Sequence, residues 1–365
     1  MTRRVSIFLP SLAGGGAERA LCGIANGLAA SGVETSLVLG KASGPYMDIV
    51  DAAVSVVDLD ASSTLHALPR LVKHLRKSRP DALLAAMSHA NIVAALAHRL
   101  AGSRARLVLS ERVNLSSVFG AHRDLRTRCT HALMHLTYPW ADGVIAVSEG
   151  VAQNLRRHIA IAPHRVQTIY NPVVDDRLIA QSVKVPDHPW LASGAVPLVL
   201  GAGRLIAQKD FATLIDAFAR LRAHRLARLL ILGEGELRAT LLEQAARLGV
   251  AEDVDLPGFV ANPFAAMRAA SVFVLSSRFE GLPGVLIQAM ACGTRVVSTD
   301  CPSGPHEVLE GGRWGALVPV GDAAALAAAL AAALDDPEPP DVRSRAASFT
   351  AAPAIAAYAR VLGLD

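Results

Sequence analysis

The chain has 365 residues, 52% of them hydrophobic and 4% aromatic, with 36 Lys and Arg against 32 Asp and Glu. Its length and hydrophobic content suffice for two cores, and its few aromatic side chains argue against the stacking platforms that bind single-stranded nucleic acid. Its four cysteines lie far apart without a CxxC pair, which argues against a disulfide framework or a zinc site and indicates a reduced, intracellular protein.

The first predicted element is a short buried strand. The apolar run Val5–Leu9, which includes Ser6, ends at Pro10 and is too short for a signal peptide. No later stretch reaches the roughly 18 uninterrupted apolar residues that a membrane span requires. We therefore expect a cytoplasmic location.

Strands and helices then alternate along the first half of the chain. The predicted strands cover residues 4–10, 33–40, 81–87, 105–112, 141–147 and 165–172. The predicted helices between them cover residues 17–32, 64–80, 91–102 and 148–158. Strands separated by helices indicate βαβ units and a parallel sheet.

The same alternation restarts after residues 183–197, a segment rich in Pro and small residues without helical or strand periodicity. The predicted strands of this second half cover residues 198–205, 227–235, 253–258, 271–277, 294–300 and 315–320. The predicted helices cover residues 210–224, 237–249, 262–270, 284–292, 322–334 and 352–363.

These patterns predict two doubly wound α/β domains of the Rossmann-like type. The first domain covers residues 1–182, a linker covers 183–197, and the second domain covers 198–349. The C-terminal helix in 350–365 is expected to pack back on the first domain. Ligands of such sheets bind beyond the carboxyl ends of the strands, so we expect a cleft where the two domains face each other.

One loop of the second half carries two cations. In "GAGRLIAQKD", Arg204 and Lys209 follow a strand and precede a helix. Two positive side chains beside the N-terminus of a helix suit a diphosphate. The alternative is that Lys209 is a solvated loop charge.

A second loop carries one acid. In "SRFEGLPGVLIQAMACG", Glu280 precedes a helix and the amide Gln288 lies within it. Glu280 either caps the helix dipole or accepts hydrogen bonds from the hydroxyls of a polyol ligand. Gln288 either bonds sugar hydroxyls or satisfies an interior backbone group, since an amide is less costly to bury than a carboxylate.

Five ordered motifs carry a family resemblance: "GRLIAQKDFATLIDAFA", "LLILGEGELRATL", "LPGFVANPFAAM", "SVFVLSSRFEGLPGVLIQAMACGTRVVSTD" and "SGPHEVLEGGRWGALVPVGD". In the first half, "GGGAERALCGIANGLAASGVETSLV" and "PDALLAAMSHANIVAALA" agree with it. The chain resembles glycosyltransferase family 4, whose members are retaining enzymes of the GT-B fold.

The resemblance implies a role for each matching residue. The catalytic group would be Arg204, Lys209, Glu280 and His89, with the two cations holding the donor diphosphate. Gln288 stands where the family has the second acid of its Glu-x7-Glu motif, so we expect altered nucleotide binding rather than inactivity. The donor-binding residues would be Gly15, Gly16, Gly203, Gly233, Phe259, Val260, Gly281, Leu282, Pro283 and Gln288.

The resemblance also implies where the other substrate binds. Glu111, Arg112 and Asn114 in "SERVN" would face the acceptor, with Arg112 meeting an anionic group. The stretch "STDCPSGPHEVL" looks like that of transferases that extend lipid-linked oligosaccharides and bacterial surface glycans, often from UDP-N-acetylhexosamines. Its Ser303, Gly304 and His306 would touch the donor hexose; alternatively it is only a turn.

No cofactor or metal ion is expected. Asp175 and Asp176 are adjacent and lie near the domain junction, so they do not have the spacing of the Asp-x-Asp that holds a divalent cation. Fixed cations would instead stabilise the leaving diphosphate. The route that the resemblance implies is front-side attack, in which the departing phosphate takes the acceptor proton.

Positive charge is concentrated in the first half. Residues 1–185 carry a net charge of +8 and the remainder −4. The predicted helix over residues 65–79 is basic and amphipathic, and further basic residues follow it: Arg99, Arg104, Arg106, Arg123, Arg126 and Arg128. An acceptor on a polyprenyl diphosphate lies in an anionic leaflet, which suggests peripheral attachment to the inner face of the cell membrane. A solvated basic face is the alternative; nothing resembles a groove-reading nucleic-acid motif.

The leading hypothesis is an enzyme that moves a hexose or N-acetylhexosamine from a UDP-sugar to a lipid-linked or surface-glycan acceptor. Two alternatives remain open. A sugar-nucleotide 2-epimerase shares the architecture, and Gln288 is the one feature that favours a non-catalytic nucleotide-sugar-binding protein.

Overall fold

The computed structural model of the protein describes residues 2–117, 125–194 and 196–365. The chain divides into two compact units: Met1–Pro172 with Thr350–Asp365, and Val173–Phe349. Arg123, one of the basic residues noted above, lies outside the described residues.

The first unit is built on a seven-stranded sheet. Its strands are β1 (Arg4–Leu9), β2 (Glu34–Leu39), β3 (Ser55–Asp58), β4 (Ala82–Ala86), β5 (Arg106–Glu111), β6 (Gly143–Ala146) and β7 (Val166–Thr168). All pair in parallel in the order β3-β2-β1-β4-β5-β6-β7. Its helices are α1 (Gly16–Ala30), α2 (Leu68–Ser78), α3 (Ser88–Ala101), α4 (Leu125–Thr137), α5 (Glu149–His158) and, from the C-terminus, α15 (Ala351–Leu362).

The strands of this unit have apolar residues at successive positions because both faces of the sheet are buried in the core. The five side chains from Val5 to Leu9 are all buried, because helices cover both faces of a parallel sheet. Tyr358 and Val361 of α15 lie in the same core as β1 and α1. The C-terminal helix is therefore part of the first unit.

The second unit is built on a six-stranded parallel sheet. Its strands are β8 (Leu198–Ala202), β9 (Arg228–Leu232), β10 (Val254–Gly258), β11 (Val272–Leu275), β12 (Val296–Thr299) and β13 (Ala316–Val318), in the order β10-β9-β8-β11-β12-β13. Its helices are α6 (Asp176–Ser182), α7 (Pro189–Ser193), α8 (Phe211–Arg222), α9 (Arg238–Arg247), α10 (Pro263–Ala269), α11 (Gly284–Cys292), α12 (Pro305–Val308), α13 (Ala323–Asp335) and α14 (Val342–Ala346).

The boundary predicted from the sequence is wrong. The first unit ends at Pro172 rather than at residue 182, because α6 packs against α10 and α11 of the second unit. Residues 183–197 are not a linker either. They include α7, and His188 just before it contacts Asp255 of β10 at 3.0 Å between Nε2 and Oδ2. The small residues and prolines of this segment show no helical or strand periodicity, so the sequence did not predict that it packs on the second unit.

Each sheet has one point at which the strand order reverses direction. In the first unit β1 lies between β2 and β4, and in the second unit β8 lies between β9 and β11. Loops that leave two such neighbouring strands turn to opposite faces of the sheet and open a crevice at its carboxyl edge, where doubly wound folds bind ligands. The two crevices are those after β1 and β4, and after β8 and β11.

Candidate active site

The crevice of the second unit brings two predicted residues into direct contact. Lys209, in the loop after β8, donates from Nζ to Oε1 of Glu280, in the loop after β11, at 2.6 Å. Ser277 Oγ donates to the same oxygen at 2.7 Å. Because β8 and β11 are paired neighbours in the sheet, their loops meet although about 70 residues separate them in sequence.

This ion pair has limited access to water. The side chains of Lys209 and Glu280 are 16% and 9% exposed. An ion pair that is this enclosed is stable only with further hydrogen bonds, and Ser277 provides one of them. An ammonium group has three N–H donors, so Lys209 can hold Glu280 and still donate to an anionic ligand.

Both hydrogen bonds to Glu280 end on Oε1. Within the described part of the chain, Oε2 of Glu280 receives none, so this oxygen can accept a hydrogen bond from a ligand hydroxyl. Of the two interpretations of Glu280, the geometry favours the ligand acceptor over the helix cap, because its carboxylate bonds to Lys209 and Ser277 rather than to the backbone N–H groups of α11.

Arg204 supplies a second positive charge in the loop that carries Lys209. It is exposed, and across the described ranges its guanidinium makes no hydrogen bond or ion pair. It directly follows Gly203, over which the Lys209 side chain lies: a Cβ built at Gly203 would be 3.3 Å from Cε of Lys209. Arg204 and Lys209 thus belong to the same short loop segment, as a diphosphate site requires.

Two further contacts fix this loop, and the sequence analysis had not singled out their residues. Arg278 donates from Nε to Oδ2 of the buried Asp210 at 3.0 Å, and Gln208 donates from Nε2 to the carbonyl of Phe279 at 2.9 Å. Asp210 has a positive φ of 48°, which is rare for a residue other than Gly. The only local signal for them was their sequence position, between a predicted strand and helix.

Gly233 lies where two loops at the carboxyl edge of the second sheet come close together. Its φ is 136°, and a Cβ built on it would lie 2.0 Å from the carbonyl oxygen of Gly203. A side chain at residue 233 would therefore collide with the backbone that leads into Arg204. Gly233 is required by this close approach of two loops.

The other predicted donor residues of the second unit are spread over the crevice and the neighbouring strand end. Phe259 follows β10 with 80% of its surface exposed, and Val260 next to it is half-buried. Gln288 is half-buried in α11, and its amide makes no hydrogen bond within the described residues. The structural alternative for Gln288, a bond to an interior backbone group, is therefore not observed.

The turn before α11 is enclosed by the protein. Gly281, Leu282 and Pro283 are buried. The backbone N–H of Glu280 donates to the carbonyl of Pro302 at 3.2 Å, and that of Gly284 to Leu282 at 2.9 Å. These two amides are engaged in internal turns and are not open to a phosphate.

The "SGP" stretch lies beside this turn. A Cβ built at Gly304 would be 2.4 Å from Cδ of Pro283, so Gly304 packs directly on the loop that carries Glu280. His306 is exposed and contacts Asp300 at 3.3 Å through Nδ1. The stretch thus borders the crevice.

The crevice of the first unit holds three more predicted residues. Gly15 and Gly16 begin α1 after β1, and His89 lies in the first turn of α3 after β4. A Cβ built at Gly16 has no protein atom within 4 Å, so the space before it is open. Partial burial, and then the positive charge of Arg126, lower the pKa of His89.

The predicted acceptor residues are enclosed by protein groups. Glu111, Arg112 and Asn114 are all buried. Glu111 accepts hydrogen bonds from Tyr138 at 2.7 Å and from Ser88 at 3.1 Å. Burial raises the pKa of the Glu111 carboxyl, while these hydrogen bonds lower it. Glu111 therefore anchors the start of α3, which carries His89, rather than facing a substrate.

The other two members of this group are likewise engaged. Arg112 donates to Oδ1 of Asn171 at 2.6 Å and to the hydroxyl of Tyr358 at 3.2 Å. Oδ1 of Asn114 accepts from Ser116 Oγ at 2.7 Å. The burial of these residues at the end of β5 depends on helices that come later in the chain, such as α15 with Tyr358.

The basic helix α2 has its apolar side in the core. Leu71 and Leu75 are buried, whereas Lys73, Arg76 and Lys77 are exposed. No helix in the described ranges is long and apolar enough to cross a bilayer. In the same ranges, no cluster of three or more His, Cys, Asp and Glu side chains could hold a metal ion.

Two family models match this chain. The model described as "Glycosyltransferase Family 4" matches residues 14–177, and the model described as "Glycosyl transferases group 1" matches residues 196–336. Together they cover most of both units. The second match contains Arg204, Lys209, Glu280 and Gln288.

Individual proteins are similar over nearly their whole length. A Campylobacter jejuni enzyme, N-acetylgalactosamine-N,N'-diacetylbacillosaminyl-diphospho-undecaprenol 4-alpha-N-acetylgalactosaminyltransferase, is 29% identical over 92% of this chain and 91% of its own. The lipopolysaccharide core biosynthesis glycosyltransferase LpsE of Rhizobium meliloti is 30% identical over 87% and 84%. Among solved structures, Anabaena Alr3699/HepE in complex with UDP aligns with a TM-score of 0.77 at 22% identity over 100% of both chains.

Proposed function

Because the chain belongs to the glycosyltransferases of group 1 and family 4 and has their GT-B fold, as its sequence predicted, we propose that it transfers a hexose or N-acetylhexosamine from a UDP-sugar to a lipid-linked or surface-glycan acceptor. In this proposal the anomeric configuration is retained and no metal ion or cofactor takes part. The enzyme class itself, glycosyltransferase, follows from the family.

The observation that carries this proposal is the Lys209–Glu280 pair in the crevice between β8 and β11. It presents a cation and a carboxylate oxygen at one position, with the exposed cation Arg204 in the same loop. A nucleotide sugar has a matching pattern, a diphosphate joined to a ring of hydroxyl groups. Arg204 and Lys209 bind the diphosphate, and Oε2 of Glu280 accepts from a sugar hydroxyl.

The proposed reaction uses this placement of the two cations. The bond between the anomeric carbon and the diphosphate oxygen breaks, and its electron pair stays on the diphosphate. The acceptor oxygen bonds to the anomeric carbon from the same face, and its proton passes to the departing phosphate. Arg204 and Lys209 stabilise the charge that develops on the leaving group, which is electrostatic preorganisation.

The identity of the substrates is supported by the relatives. HepE, which shares the fold, binds UDP, and the C. jejuni relative is named for a diphospho-undecaprenol acceptor. Phe259, exposed at the end of β10, suits stacking on a nucleobase. The partners proposed for this chain are therefore a UDP-sugar and an acceptor on a polyprenyl diphosphate or a surface glycan, without nucleic acid.

A panel of nucleotide sugars tests the donor class. We expect one UDP-sugar at about 100 times its Kd to stabilise the chain by about 2.7 kcal/mol, which is a rise in Tm of roughly 5 °C or more for a domain of this size. GDP-sugars and free hexoses serve as controls. A rise with GDP-sugars alone would contradict the UDP assignment, and transfer of the stabilising sugar to a lipid-linked acceptor is the accompanying activity assay.

Two alternatives keep this architecture. An epimerase would release an epimerised free nucleotide sugar without any acceptor, so product analysis in the absence of acceptor distinguishes it. A non-catalytic binder would show the rise in Tm without transfer. Its one support is Gln288, whose amide has no partner within the described residues.

Replacing Gln288 by Glu is expected to tighten UDP binding about fivefold. A carboxylate accepts a charge-assisted hydrogen bond, which contributes about 1 kcal/mol more than a neutral one. The measurement is the Kd for UDP by calorimetry, with Gln167→Glu, an exposed glutamine of the first unit, as the control. If binding tightens and turnover rises by orders of magnitude, the natural site is weakened by its amide and the binder alternative gains weight.

The acceptor class also bears on location. We propose that the enzyme acts in the cytoplasm and attaches peripherally to the inner face of the cell membrane through its first unit. The exposed basic residues of α2 and the net charge of +8 over residues 1–185 support attraction to anionic lipid.

A further inference from the structure

Helix α4 exposes an apolar stripe that nothing in the described structure covers. Leu125, Leu133 and Leu136 are 75%, 40% and 54% exposed. Cys129 and Ala132 are also exposed and lie between them at helical spacing. These five residues are called the α4 stripe below.

The inward side of α4 is the more polar one. Its buried residues are Thr130, Met134 and Thr137. Both threonine hydroxyls are satisfied within the helix, by the carbonyls of Arg126 at 3.0 Å and Leu133 at 2.7 Å. A helix on a soluble protein normally turns its apolar side to the core, so α4 is oriented the opposite way from what its composition favours in water.

Basic side chains border the stripe on both sides. At 100° per residue, Arg126 lies on one side of the α4 stripe, and Arg128 and His135 lie on the other. His135 stacks edge-on against His131 with ring centroids 4.7 Å apart. The helix contains no Asp or Glu. Leucines flanked by cations are the pattern of a helix that lies in the plane of an anionic membrane surface.

We propose that the α4 stripe inserts among the acyl chains of an anionic bilayer while Arg126 and Arg128 contact its phosphate groups. The inference rests on the proposed function, because a lipid-linked acceptor supplies the reason for a membrane contact. It goes beyond that proposal by naming the element that anchors the protein.

Helix α2 serves a different role in this arrangement. Leu71 and Leu75 are buried in the first unit, and Leu68 and Val72 are half-buried, so α2 offers exposed charge but little exposed apolar surface. When exposed leucines insert into a bilayer, their apolar surface is buried, and this contribution to binding does not weaken with salt. The attraction of exposed lysines to anionic lipid is screened by salt. The α4 stripe therefore anchors the protein, and α2 adds salt-dependent attraction.

The position of α4 connects the membrane contact to the crevice of the first unit. Helix α4 packs against α3, whose first turn carries His89. Arg126 of α4 is near enough to His89 to influence its titration. A membrane-borne acceptor held at the α4 stripe would thus be delivered beside His89.

Flotation with vesicles tests the inference. The full chain is mixed with vesicles of phosphatidylethanolamine and phosphatidylglycerol at low and high salt. The test variant is Leu133→Glu with Leu136→Glu. The matched control is Leu242→Glu with Leu248→Glu, two leucines of similar exposure at α9 in the second unit. We expect the wild type and the control to float, and the test variant to partition at least tenfold less at both salt concentrations.

A charge variant separates the two helices. Replacing Lys73 and Lys77 of α2 by Glu is expected to reduce flotation at low salt and to leave the remaining high-salt flotation unchanged. If this variant abolishes flotation at both salts while the leucine variant floats like the wild type, α2 is the anchor and the inference is overturned. Absence of flotation by the wild type also overturns it.

Two further readouts keep the outcomes distinct. Light scattering shows whether the leucine variant dissociates an oligomer; a dimer that depends on Leu133 and Leu136 would mean that a second copy covers the stripe, and the inference fails. Transfer from a UDP-sugar to a water-soluble acceptor fragment should stay within about twofold in the leucine variant, which also shows that it folds. Leucine-dependent flotation without any sugar transfer by the wild type would contradict the proposed function but not the membrane contact.

Discussion

Replacing Lys209 by Met or Arg204 by Ala is expected to lower kcat by about 10²- to 10³-fold in each case. The physical reason is that each cation stabilises negative charge that grows on the leaving diphosphate, and the loss of one preorganised donor at such a position corresponds to about 2.7–4 kcal/mol of barrier. The effect should fall on kcat more than on the donor Kd, because the interaction strengthens as the bond breaks. Single-turnover transfer of labelled sugar measures it.

Lys184→Met is the matched control, since Lys184 is an exposed lysine of the second unit outside the crevice. It should retain full activity. A complication is that Lys209→Met leaves Glu280 without its ion-pair partner, which by itself is destabilising for so enclosed a carboxylate. Arg204→Ala has no such effect because Arg204 has no protein partner in the described residues. If Arg204→Ala keeps activity within threefold, the diphosphate is not bound where we place it.

Replacing Glu280 by Gln is expected to lower transfer by about 10²-fold while leaving the fold intact. An amide oxygen can still accept from Lys209 and Ser277, so the loop keeps its geometry. The variant loses the negative charge of the carboxylate. This charge strengthens a hydrogen bond from the donor sugar and compensates the two cations. Transfer rate and Tm are measured side by side, and the Tm should change by only a few degrees.

Glu252→Gln provides the control, because Glu252 is an exposed acid of the same unit. The double variant Lys209→Met with Glu280→Gln completes a cycle. If the two residues act as a unit, the double variant should lose less activity than the product of the single losses. Full activity of Glu280→Gln would show that its carboxylate supports the loop and does not contact the donor.

The sequence by itself determined the elements whose signals are local. The buried runs at Val5–Leu9 and 198–202 predicted strands, and the residues between strand and helix predicted the loops that carry Arg204, Lys209 and Glu280. In a parallel sheet these loops must emerge at one edge. Periodicity and residue type at short range are sufficient for these predictions.

The same local signals were too weak for several short elements. Strand β3 was missed because it is partly exposed at the sheet edge and four residues long. Helix α6 was missed as well, although Asp175 caps it by accepting from the backbone N–H of Leu178 at 2.6 Å. Because α6 packs on the second unit, the boundary between the units lies at Pro172 and not at residue 182, where the sequence analysis predicted it. Short elements depend on the surfaces that they pack against.

Only the tertiary structure decided which side chains meet and which are hidden. It placed Lys209 and Ser277 against Glu280, enclosed Glu111, Arg112 and Asn114, and turned the leucines of α4 outward. Burial and pairing arise from contacts between residues far apart in sequence, and spacing along the chain does not encode them. The sequence therefore determined the chemistry available at each loop, whereas the packing of the sheets and helices decided where that chemistry is accessible.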